Sequence, residues 1–139
     1  MHPSPTAHQF HVEAHPGPYP PGSEPVDGSW SRTAWLPVLG PSAWVLWVEL
    51  ASIATHGPVV VGDDDLAGRV GLQARRLKHP LARIERFRLV DQPHPDCYRV
   101  KVSAGPLGTR TLRRHPRGDV AARQARLFGD RLVQPAHSA

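Results

Sequence analysis

The apolar residues of this chain are unevenly organised. Up to Trp30 they follow no sustained period, because Pro3, Pro5, Pro16, Pro18, Pro20, Pro21 and Pro25, with Gly17, Gly22 and Gly28, break each short stretch. Such a segment buries too little surface to offset the entropy of ordering it. Residues 1–29 are therefore expected to form a flexible, proline-rich tail that is dispensable for folding. The pattern changes at Pro41-Ser42. From there to about Thr55 the only polar positions are Ser42, Glu49, Ser52 and Thr55, with His56 just beyond, while Trp44, Val45, Leu46, Trp47, Val48, Leu50 and Ile53 cover the rest of the circumference. A helix so apolar has to be buried by more than one neighbour. Gly57-Pro58 stops it, and the β-branched run Val59-Val60-Val61 reads as a short strand.

Asp63, Asp64 and Asp65 precede Leu66-Ala67 and predict the capped, dipole-matched start of a second, short helix ending near Gly71-Leu72. Pro80 suits the first position of a third helix, to Val90, where a missing N–H costs nothing. Within it Leu81, Ile84 and Phe87 are apolar, and Arg83 and Arg86 lie one turn apart on the opposite side. A continuous helix from Ala74 is the alternative, disfavoured by the proline in its middle. Tyr98-Arg99-Val100-Lys101-Val102 alternates as a half-buried strand, with Leu89-Val90 as partner and a turn-rich connection over residues 91–96. Residues 107–114 are basic and undecided. Asp119 is expected to cap a last helix presenting Val120, Leu127 and Phe128 on one side, and residues 134–139 to fray. The expected fold is mainly α with a small antiparallel sheet, in one domain over residues 30–133.

Charge sharpens this picture. Up to Leu66 one basic residue faces seven acids; from Arg69 onward sixteen basic residues face five acids. A basic half beside an acidic one suggests a face for a polyanion. The order helix, short strand, short helix, helix, hairpin resembles the winged helix-turn-helix superfamily. Leu66-Ala67 with Val70-Gly71-Leu72 repeats that superfamily's stretch for the second helix and its turn, and His79-Pro80-Leu81 is similar to the opening of the third helix in small winged-helix proteins of high-GC bacteria. The likeness covers about half the chain. It departs at His79, where a serine would cap better, and at the hairpin tip, which holds two acids and no arginine.

What the resemblance implies is a DNA-binding protein, a transcriptional regulator, with its third helix in the major groove of double-stranded DNA. Arg83 and Arg86 are then the candidates for base reading, since a guanidinium can bond guanine twice. Arg75, Arg76, Lys78 and His79, and Arg99 and Lys101 on the hairpin, are the candidates for the DNA backbone. Two alternatives stand beside this reading: a winged-helix module that docks a protein partner, and a replication or partition accessory factor. Trp35, Trp44 and Trp47 carry more aromatic surface than so small a core is expected to cover, which predicts a homodimer through the first helix.

Catalytic and metal chemistry find little support in the sequence. His8, His11 and His15 lie in the proline-rich segment without a carboxylate or cysteine shell, so no metal is expected there. No glycine-rich phosphate loop and no spacing of nucleophile and base is present, so neither a cofactor nor an enzymatic activity is expected. The single Cys97 rules out a disulfide framework within the chain and suits a reducing compartment. With neither a signal-peptide pattern nor a membrane-length apolar run, the expected location is the cytoplasm, in association with the nucleoid.

Overall fold

The computed structural model describes residues 8–115 and 117–129. Those residues are roughly half helical, with a small mixed sheet, and the chain divides into two compact units. The first comprises Met1–Gly17 and Leu39–Val102, the second Pro18–Val38 and Ser103–Ala139.

In the first unit, strand β1 (Gln9–Ala14) belongs to the same sheet as β3 (Val59–Gly62), β4 (Val90–His94) and β5 (Cys97–Val100), in the order β3-β1-β5-β4. β1 runs antiparallel to β3, with Phe10 opposite Val61, and parallel to β5, with Val12 opposite Tyr98. Its alternation is clean: Gln9 and His11 face out, while Phe10 and Val12 are buried. Helix α2 (Pro41–Thr55) packs against β1 and β5, and against helix α4 (Lys78–Arg86). Leu46, Trp47 and Leu50 of α2 form the core with Val12, Ile84, Val90 and Val100, and helix α3 (Asp63–Arg69) adds Leu66 and Ala67. The Trp47 indole N–H donates to the Lys101 carbonyl at 2.9 Å, so this large ring is buried without an orphaned donor.

Three expectations from the sequence change here. Residues 1–29 are not simply a tail: Gln9–Ala14 is an interior strand of the sheet, and Glu24–Pro25 is a strand of the second unit. The sheet is mixed rather than antiparallel, because β1 lies parallel to β5. The hairpin is longer than expected, since β4 continues through Pro93 to His94, opposite Cys97. Pro93 is tolerated because β4 is an edge strand, where a missing donor breaks no ladder.

The second unit is built around two indoles. Its strands β2 (Glu24–Pro25) and β6 (Ser103–Ala104) pair antiparallel. A π-helical turn over Ser31–Trp35 runs into α1 (Leu36–Leu39), and α5 (Thr109–Arg114) and α6 (Gly118–Phe128) follow β6. The ring N–H groups of Trp30 and Trp35 both donate to the Gly105 carbonyl at 2.9 Å, using both of its lone pairs. The buried Gln124 amide bonds the Leu107 N–H and C=O at 2.9 Å each, as a strand neighbour would. Gly22, at φ +95°, lies so close to the Leu127 carbonyl that a Cβ would sit 2.3 Å from its oxygen. The undecided basic stretch is thus helical over Thr109–Arg114. Asp119 lies in the first turn of α6 without capping it and accepts from Arg117 at 3.1 Å. The expected fraying of residues 134–139, and the domain end at 133, fall outside the described residues.

Placing β1 inside the sheet reverses the expectation for the N-terminal segment. Removing residues 1–29 should abolish cooperative urea unfolding, measured by circular dichroism. Phe10→Ala alone should lower the unfolding free energy by about 3–5 kcal/mol, the usual cost of emptying a buried aromatic site.

Candidate nucleic-acid interface

The basic face begins at the end of α3. Gly71, at φ +74°, turns the chain, a 3-10 turn follows over Ala74–Arg76, and buried Leu77 leads into α4. Pro80 is the third residue of α4 and not the first. It still falls among the leading N–H groups that have no partner within a helix, so it breaks nothing. Pro80 and Ile84 are buried beneath the helix. Arg75, Lys78, His79, Ala82 and Arg86 are exposed. Within α4 the spacing of Lys78, His79, Ala82 and Arg86 aligns them in one stripe along the outer face, and Arg75 lies in the turn just before it. Arg88, at φ +60°, closes the helix in the left-handed region.

Beside this stripe lies a cleft of about 400 Å³, bounded by Gly40, Pro41, Ser42 and Ala43 on one side and Arg76, His79 and Arg83 on the other. Gly40 enters α2 at φ +87°, Pro41 takes the first helical position, and no side chain caps the helix. The positive end of a 15-residue helix therefore opens into the same cleft as three basic side chains. That combination suits a phosphate.

The structure separates the basic residues by what already holds them. Arg83 is half-buried; its Nε donates to the Leu39 carbonyl at 2.8 Å, and its guanidinium lies 5.7 Å from the centre of the Phe87 ring. It ties α4 to the entry of α2. Arg86, Arg76, Lys78 and His79 remain on the surface, and Arg75 is steadied there by Gln73 at 2.8 Å. Arg99 is bound by the two oxygens of Asp91 at 3.0 and 3.4 Å across the hairpin. Lys101 is half-buried beside Glu85, Arg88 and Asp91, away from the α4 stripe. Arg76 and His79 thus share the cleft beside α2, Lys78, His79 and Arg86 share the outer face of α4 with Arg75 in the turn before it, and Arg99 and Lys101 of the hairpin stay apart.

The expected dimer residues are likewise occupied. Trp47 is fully buried and Trp35 is 5% exposed, each with its indole N–H bonded inside its own unit; Trp44 is half-buried. The aromatic surface that pointed to a second copy is largely covered by the chain itself. Burial pushes the Cys97 thiol up from its ordinary value, and the Glu13 carboxylate that it bonds at 3.5 Å adds to this, so the thiolate is disfavoured. His8 pairs with Asp96 at 3.2 Å, and His15 lies 3.9 Å from Asp91. No described helix is long and apolar enough to cross a membrane.

Two contributors were not singled out in the sequence. One is Ala82, at the centre of the stripe, whose exposed position follows from the same spacing that places Arg86. The other is the backbone at the start of α2, signalled by Gly40-Pro41 without a capping side chain.

The different environments of the two α4 arginines should separate them in stability. Arg83→Ala should cost about 1–3 kcal/mol in urea unfolding, because the Leu39 carbonyl loses a charged donor. Arg86→Ala should stay within about 0.5 kcal/mol. Equal losses would remove Arg83 from its tying role. Comparison of the chain with protein-family models, curated proteins and solved structures finds no match, so the functional reading rests on this geometry.

Proposed function

We propose that the first unit is a winged helix-turn-helix carrying one extra strand, and that it binds duplex DNA as a transcriptional regulator. The order α2, β3, α3, α4, β4, β5 supports the first part. The observation that carries the second is the exposed α4 stripe set beside an uncapped helix end lined by Arg76 and His79.

Each part has a chemical role in this reading. Arg86 offers a planar fork of donors that matches the O6 and N7 edge of guanine. Ala82 gives a small apolar surface for a thymine methyl group and lets the helix approach the groove floor. Arg75, Arg76 and Lys78 hold phosphates, and the first N–H groups of α2 with His79 hold one more. Arg83 is a positioning residue and no longer a base reader, since it orients α4 through Leu39. Arg99 and the acidic hairpin tip contribute little.

A docking reading is favoured by one observation. β3 is an edge strand, and its Val59 and Val60 are 38% and 52% exposed. Such an edge can accept a strand from another protein.

Fluorescence anisotropy with duplexes selected from a random pool separates these readings. The wild-type chain should bind, and Arg76→Ala or Lys78→Ala should each reduce the slope of log affinity against log salt by about 0.9 on any duplex. Arg86→Ala should cost about 1–3 kcal/mol on the selected duplex and less on a scrambled one. Absence of wild-type binding at about 50 mM salt, where phosphate contacts are strongest, would favour the docking reading.

A further inference from the structure

A second cavity, of about 600 Å³, shares no lining residue with the phosphate cleft. Its volume falls within the range of small-molecule sites. Phe10, Leu46, Leu66, Leu81 and Tyr98 give it an apolar body, and its charged residues come from two different segments. Asp63 and Asp64 belong to the first turn of α3, whereas Arg75 and Lys78 flank the start of α4. Among the described residues none of these four takes part in an ion pair. Asp63 is also the one described residue with a side-chain oxygen, Oδ1, that is sealed from solvent and accepts no hydrogen bond. Compensation for that carboxylate has to come through its other oxygen, and the residue lines the cavity. A carboxylate in that state gains from a cation brought close to it.

We propose that this cavity binds a small zwitterion with an apolar body, of the class of a free amino acid with an aromatic or branched aliphatic side chain. Its ammonium group faces Asp63 and Asp64, its carboxylate faces Arg75 and Lys78, and its side chain lies against Phe10, Leu66, Leu81 and Tyr98. A purely cationic ligand would leave Arg75 and Lys78 uncompensated, and a purely anionic one would leave Asp63 so. Lys78 also belongs to the α4 stripe, and Arg75 lies in the turn that leads into it. On the DNA-binding reading, on which this second step rests, a ligand that occupies them competes with phosphate and weakens duplex binding, and duplex weakens the ligand by the same factor.

Isothermal titration of the full chain with L-phenylalanine and L-leucine tests the site without DNA. At least one should bind saturably, with a Kd below about 1 mM. Its amine-only analogue (phenethylamine or isoamylamine) and acid-only analogue (3-phenylpropionate or 4-methylvalerate) should bind at least about tenfold more weakly, a difference of one charged contact. The double variant Asp63→Asn/Asp64→Asn and the surface variant Lys78→Gln should each lose a similar factor while keeping a cooperative thermal transition. Absence of saturation by both amino acids at about 10 mM, or affinities equal among the amino acid and its two analogues, would overturn the proposal. The analogue comparison decides even if the double variant does not fold. Duplex titrated with and without the bound amino acid then separates the two readings. Amino-acid binding without any duplex binding leaves the site standing and removes the DNA reading; duplex binding without amino-acid binding does the reverse.

Discussion

The first unit depends on the backbone of β1. β3 and β5 are not neighbours; the strand between them comes from the N-terminal segment and satisfies the facing edges of both. On one side the β3 ladder continues past the strand end, where the Asp63 N–H donates to the His8 carbonyl at 2.8 Å. On the other, His11 N–H donates to the Asp96 carbonyl at 2.7 Å and His15 N–H to the Val100 carbonyl at 2.8 Å. Phe10 and Val12 then project onto α2. Without this strand, two edges would lose their partners and the floor beneath α2 would lose two buried side chains. β1 also delivers His8 and Phe10 to the larger cavity and fixes the start of α3, so the positions of Asp63 and Asp64 follow from it.

Much of the first unit was legible because its elements have long or strongly patterned apolar faces. The bounds of α2 follow from the apolar sweep between Pro41 and Gly57, and β3 from three consecutive valines. β1 was obscured by its surroundings. Gln9-Phe10-His11-Val12 does alternate with period two, but only two apolar residues carry the signal, and the prolines that follow suggest disorder. Its burial is a tertiary fact: those two side chains have value only because α2 is there to cover them. The same applies to Trp35 and Trp47. Counting aromatic area against chain length implied a surplus, yet the Gly105 carbonyl satisfies the indoles of Trp30 and Trp35, the Lys101 carbonyl satisfies that of Trp47, and all three rings are buried.

The candidate site was legible as a set of charges and not as a division of them. Sequence places Arg83 and Arg86 one turn apart on the same side, and nothing local distinguishes them. The difference arises from Leu39, forty-four positions away in the chain, whose carbonyl takes the Arg83 Nε. Arg99 is likewise held by Asp91, the residue opposite it in the β4–β5 ladder. An arginine engaged at short range by a carboxylate presents little net charge to a distant phosphate. The basic balance of the second half of the chain therefore overstates the charge that the hairpin offers, whereas the surface residues from Arg75 to Arg86 keep theirs.

The acids of α3 complete this electrostatic argument. Asp63, Asp64 and Asp65 occupy the first turn, where they favour the helix dipole, and only Asp65 is paired, with Arg69 at 3.3 Å. Asp63 and Asp64 line the same cavity as Arg75 and Lys78. At physiological ionic strength exposed charges act over about 8 Å, so the sign of the surface potential changes over a distance comparable with one cavity. A polyanion approaching the α3 side of α4 meets Asp63 and Asp64 beside Arg75 and Lys78, whereas one approaching the α2 side meets Arg76, His79 and a positive helix end in a cleft lined by no carboxylate. On the DNA-binding reading, orientation on a duplex is set as much by where phosphates are repelled as by where they are held. The arginines alone define a basic strip; the aspartates beside it give the strip an edge.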